Sequence, residues 1–255
     1  MLKPVPIKKV LEVRYERGYR YLDRCGEVML ILQDLLPSET GKVWMPEDIT
    51  PNGAKLKCPE LEMRIVFDTT RFVIDQSEQE TEEFSHIAST AFAVVSSRFD
   101  LRSFVRLGLR RFLMVGADSV EDAELLSLKL SPATNWPPGR PANMVARSSE
   151  ISTSFEDKDG AVGFSFTMKP ISKIDTPDQI DERARVPARF LEKGQKEALL
   201  EQIKRRTKRE KDPSAGVLID LDYYQMRPVK LDLKNFWQTG IDTGDKMIEA
   251  VLARK

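Results

Sequence analysis

The order of apolar and polar positions divides the chain into alternating strand and helix patterns. Aliphatic and β-branched residues recur between charges over Val5–Glu16, with Val10 and Val13 among them, and Lys9–Tyr15 reads as a first strand. Gly18 breaks it, and from Tyr19 to Leu36 the spacing turns helical, with Leu22, Cys25, Met29, Leu32 and Leu36 on one stripe. Pro37 is expected to stop that helix, because it lacks the backbone donor for a further turn. Thr40–Cys58, with its Pro, Gly and Asn residues and Trp44 as its one large anchor, reads as loop. Leu61–Val66 and Thr70–Ile74 are short strands, with Asp68 and Thr69 near the turn. Ser77 and Glu80 match a capping box ahead of Phe84, Ile87, Ala88, Ala91, Phe92 and Val95, which predicts a helix over Gln79–Arg98.

The stretch Arg102–Val115 then opens a second round. Val105, Leu107 and Leu109 alternate with Arg106, Gly108 and Arg110; Arg111 interrupts the apolar face before Leu113 and Val115 resume it. Ser119 is placed to cap a helix through Ala123, Leu126 and Leu130, which Pro132 ends. Val145–Phe155 and Ala161–Met168 read as two strands joined through Asp159-Gly160, a hairpin signal. Gly216–Tyr224 is a strand with Val217, Ile219, Leu221 and Tyr223 on one face and Leu218, Asp220 and Asp222 on the other. A final helix, about Leu231 to Ala253, has Leu233, Phe236, Trp237, Ile241, Ile248, Val251 and Leu252 on one stripe, with Gly240 and Gly244 upon it.

These patterns predict an α+β fold of antiparallel sheets with helices on one face. Two halves, 1–101 and 102–255, repeat a strand-helix-strand-strand-helix order, the second with a charged insert at about 176–215. The halves either share one long sheet or stand side by side as two sandwiches.

Composition narrows the function classes. The 255 residues are 41% hydrophobic and 31% charged, as in a soluble globular protein. Lys+Arg and Asp+Glu are both 40, so no global field draws in nucleic acid or an anionic membrane. No signal-peptide or membrane-spanning run is evident, and Cys25 and Cys58 read as reduced thiols, so a cytoplasmic setting without membrane attachment is expected.

Candidate chemistry is sparse. His86, the single histidine, reads as a surface residue opposite the apolar stripe, which leaves triads and zinc sites short of partners. Asp220 and Asp222 could hold Mg²⁺ for a metal-dependent hydrolase, or pair with Arg106 and Arg110 across neighbouring strands; the ion-pair reading is preferred. Lys204, Arg205, Arg206, Lys208, Arg209 and Lys211 form a basic run that could bind nucleic acid, with Arg106 and Arg110 as a possible groove. No aromatic interleaves with that run and no phosphate-cradling glycine loop is present, so no cofactor is expected.

The order RFVID, amphipathic helix, then Arg106-x-Gly108-x-Arg110 with Phe112, and the later LIDLDYY with its amphipathic helix, resembles a family of prokaryotic proteins of similar size. That family is sporadically distributed and functionally uncharacterised. The resemblance spans roughly Leu61–Met114 and Gly216–Leu252 and implies no catalytic residues. It implies a component of a multi-protein prokaryotic system, in a defence or mobile-element setting. Because constellations for hydrolysis, nucleotide binding and zinc are missing while the fold signals are sound, the expected function is a non-catalytic protein-interaction module, its partner another protein or a second copy. Nucleic-acid binding is the alternative and metal-dependent hydrolysis the next.

Overall fold

A computed structural model describes residues 3–77, 83–131, 149–171 and 215–253. Among them lie β1 (Val5–Tyr15), α1 (Tyr21–Thr40), β2 (Met45–Thr50), β3 (Gly53–Cys58), β4 (Met63–Phe67), β5 (Arg71–Ser77) and α2 (Phe84–Phe99). The second half supplies β6 (Phe104–Ala117), α3 (Val120–Leu130), β7 (Ile151–Glu156), β8 (Val162–Ile171), β9 (Ala215–Met226) and α4 (Leu233–Leu252). The fold is α+β, and the two halves share one nine-stranded antiparallel sheet ordered β2-β3-β4-β5-β1-β6-β9-β8-β7.

The first strands of the halves, β1 and β6, lie side by side at the centre. Leu11 faces Leu109 and Val13 faces Leu107. Each central strand then pairs outward with the last strand of its own half, β1 with β5 and β6 with β9. Period-two alternation sends Leu11, Val13, Tyr15, Phe72, Ile74, Leu107, Leu109, Ile219 and Leu221 to one face, where all are nearly fully buried. The four described helices cover that face through Met29, Leu32, Phe84, Phe92, Phe236, Ile248 and Leu130. Tyr223 touches both apolar clusters, the larger of which already joins residues of the two halves, so one apolar layer runs the length of the sheet.

Two glycines set the depth of α4. A Cβ on Gly240 would stand 2.8 Å from Leu109 and one on Gly244 3.1 Å from Leu221, so the helix lies directly on β6 and β9. Two cations also sit beneath the helices. Arg111 Nη1 donates to Asp245 Oδ1 of α4 at 2.7 Å, and the Lys9 ammonium lies 4.9 Å from the Phe84 ring centre and 5.5 Å from that of Trp237.

Several elements differ from the sequence expectations. Thr40–Cys58 is not loop: it carries the β2–β3 hairpin, whose alternate Ala54, Leu56 and Cys58 are completely buried. The Pro46, Pro51, Asn52 and Gly53 around that alternation favoured the loop reading. Pro37 does not end α1, because losing one donor in the last turn leaves the neighbouring bonds intact. The stop is Gly41, at φ 62°, whose N–H bonds the carbonyl of Pro37. Leu22 is off the buried stripe of α1 and exposed, while Tyr21 takes an inward place. Ser77 closes β5 opposite Lys8 instead of capping a helix, and α2 begins at Phe84 after Glu83. Ser119 does cap α3, accepting from the N–H of Asp122 at 3.0 Å.

Candidate functional site: the sheet face away from the described helices

Each strand that buries one row of side chains presents the other row on the opposite face, and no described helix packs there. On β1 that row is Lys8, Val10, Glu12 and Arg14; on β6 it is Arg106, Gly108, Arg110, Phe112 and Met114; on β9 it is Leu218, Asp220, Asp222 and Tyr224.

Arg106 organises the centre of this face. Its Nη2 donates to both carboxylate oxygens of Asp222 at 2.8 Å, and its Nη1 donates to Glu12 Oε2 at 3.3 Å. To reach both, the guanidinium lies flat over Gly108: a Cβ there would stand 2.4 Å from Nη1. The middle glycine of the R-x-G-x-R motif is thus the floor on which the first arginine rests. The same guanidinium stacks on Tyr224, 5.2 Å from the ring centre.

A second glycine repeats the device. Tyr224 lies across Gly163 of β8, where a Cβ would meet the ring at 2.2 Å, and its hydroxyl donates to Glu156 of β7 at 2.8 Å. The bond to Glu156, more than burial, raises the Tyr224 phenol above its ordinary range. Alongside, Arg110 Nε donates to Asp220 Oδ1 at 2.8 Å and the guanidinium covers Phe112 at 4.7 Å. Asp220 in turn holds the Arg110 guanidinium above its ordinary range. On the far flank, Asp75 accepts from Lys8 at 3.1 Å and from Arg64 at 3.0 Å. Side chains therefore tie β4, β5 and β1 on one flank, and β1, β6, β9, β8 and β7 on the other.

Glu12, Gly108, Tyr224, Gly163 and Glu156 fall in one row, directly opposite one another on successive strands. None of these five was singled out from the sequence as a site residue. The available signal was the spacing of Gly108 between two arginines, and of Tyr224 two places beyond Asp222.

The remaining candidates are dispersed. His86 lies on α2, on the other side of the sheet, and its Nε2 is 3.0 Å from Glu39 Oε2. Lys204, Arg205, Arg206, Lys208, Arg209 and Lys211 lie outside the described residues, as does most of the 176–215 insert. Cys25 and Cys58 are unpaired thiols, and burial pushes that of Cys58 up to about 11. Among the described residues no three His, Cys, Asp or Glu side chains are grouped as metal ligands, and no helix is long and apolar enough to cross a membrane. No protein-family model and no curated protein matches the chain.

Proposed function

We propose that the chain is a non-catalytic interaction module that receives a protein partner on the sheet face away from its described helices, as one component of a multi-protein prokaryotic system in the cytoplasm. The observation that carries this reading is the ordering of that face before any partner arrives. Arg106, Arg110, Asp220, Asp222, Glu12 and Tyr224 are already locked by one another, so a partner meets a fixed pattern of charge and ring surface and loses little side-chain freedom on docking. Both signs of charge are interleaved, which suits selection between protein partners by complementary potential.

Arg106 and Arg110 already hold carboxylates, so a phosphate backbone would have to displace Asp222 and Asp220 to use them; this weakens the nucleic-acid alternative. Asp220 and Asp222 are engaged by the same arginines, which weakens the hydrolase alternative.

The test is capture from cells of the source organism with the wild-type chain and with a Lys55→Glu, Ser165→Arg, Lys169→Glu variant. These three residues lie on the same face, outside the central ion pairs. The proposal expects a partner that the variant fails to retain. A chain recovered alone, or a variant that keeps the same partner, rejects it.

A further inference from the structure

The two ends of the sheet are built differently. At one end β2 is bulged between Pro46 and Asp48 and carries Pro46, Glu47 and Asp48 there, features that keep an edge from pairing. At the other end β7 has no bulge and no proline, and its one charged residue is the terminal Glu156. Its six residues pair with β8 in unbroken register, include no proline or basic residue, and are exposed from Ser152 to Glu156. Phe155, on the helix side, stacks on Phe164 with ring centres 6.3 Å apart and remains 48% exposed.

The hydrogen-bond phase of this edge follows from its turn. Asp157 N–H donates to the carbonyl of Val162 at 2.9 Å. Alternation from that pair makes Phe155, Thr153 and Ile151 the residues that exchange bonds with β8. The backbone groups of Ser152, Ser154 and Glu156 therefore point outward, with no partner among the described residues.

We infer that β7 pairs antiparallel with β7 of a second copy of this chain, joining the two sheets edge to edge. Outward groups must meet outward groups, and opposed side chains must share a face, which leaves registers symmetric about a single residue; those about Ser152, Thr153 and Ser154 keep the most of residues 149–157 paired. Centring on Ser154 sets Ile151 against Asp157, and centring on Ser152 sets Phe155 against Ser149. Centring on Thr153 sets Phe155 against Ile151 of the second copy on the helix side, and Ser152 against Ser154 on the open side. Apolar then meets apolar and hydroxyl meets hydroxyl from Ile151 to Phe155.

At each end of this register Glu150 faces Glu156 of the second copy. The Tyr224 hydroxyl draws the Glu156 carboxylate back over β8, away from the edge, and the remaining repulsion limits the affinity. This edge is separate from the partner-binding face, so either reading can fail while the other stands.

Sedimentation equilibrium of the full chain over a concentration series tests the pairing, with circular dichroism checking that each variant is folded. The expected result is a reversible shift from 29.1 kDa to twice that mass. Ser154→Pro removes an outward N–H without touching the β8 ladder and is expected to give a monomer. Thr153→Lys places two ammonium groups on the symmetry axis and weakens association by roughly tenfold or more. Glu150→Gln strengthens it. Hydrogen exchange should slow at the amides of Ser152, Ser154 and Glu156 as the dimer forms, while those of Thr153 and Phe155 are slow already. A wild-type chain that stays monomeric, a Ser154→Pro chain that still dimerises, growth beyond the dimer, or protection at another surface overturns the inference.

Discussion

At Gly108 a single methyl group would stand 2.4 Å from Arg106 Nη1, so the smallest substitution on the sheet face has a defined consequence. Gly108→Ala is expected to lift the guanidinium from Asp222 and Glu12 and to cost roughly 1–3 kcal/mol in urea unfolding. In an Arg106→Gln background the same alanine should be nearly silent, because the clash has gone; equal costs in both backgrounds would refute this account of the motif. Tyrosine chemistry gives a pH prediction at the same scale. Burial raises the Tyr21 phenol to about 12, and burial also raises Tyr15, while Tyr224 is raised through Glu156. A folded-state pKa above the unfolded value of 10.0 contributes stability that is present below pH 10.0 and lost as pH climbs through the folded value. The fold should therefore weaken above pH 10.0, and Tyr21→Phe should flatten that decline in urea midpoints measured against pH.

Among the elements, α3 depends most plainly on the residue that caps it. Ser119→Ala leaves the N–H of Asp122 without its acceptor and is expected to lower stability by about 1 kcal/mol, with Ser119→Asp restoring most of it. Elements were legible in the sequence where one periodicity ran clean. The inward row of β9 and the stripe of α4 were readable because Val217, Ile219, Leu221 and Leu233, Phe236, Ile248 keep one phase throughout. β3 was not, because the turn residues Pro51, Asn52 and Gly53 and the proline-bearing edge strand beside it outweighed the short alternation of Ala54, Leu56 and Cys58 with Lys55 and Lys57. The site was only half legible for a related reason. Opposite charges on alternating positions marked Arg106, Arg110, Asp220 and Asp222 as an arrangement. That β6 adjoins β1 and β9 adjoins β8, and hence the roles of Glu12 and Gly163, depends on pairing between distant segments that local pattern does not encode.

For the molecule as a whole, the decisive fact is that the halves meet at their first strands rather than at a linker. Residues 1–101 end before β6, so that fragment alone would leave one edge of β1 open and uncover Leu11, Val13 and Phe84 where β6 and α4 pack. It is expected to lack sharp near-ultraviolet dichroism and to associate on concentration, whereas mixing with 102–255 should restore the signal. A fragment that melts cooperatively by itself would show that the halves are independent domains. The intact chain should unfold in one transition, because Tyr223 packs into both apolar clusters.

The central position of β1 also sets a timetable for the nascent chain. Val13 leaves the ribosome well before its neighbour Leu107, which follows on the order of 100 residues later, a delay of roughly 5–20 s at ordinary synthesis rates. During that interval β5 can dock on one side of β1 while the other side waits, bare, in a crowded exit environment. The middle of the finished sheet is thus the edge of the growing one. Lys8, Glu12 and Arg14, which later settle among ion pairs, would during synthesis be gatekeepers against the wrong strand.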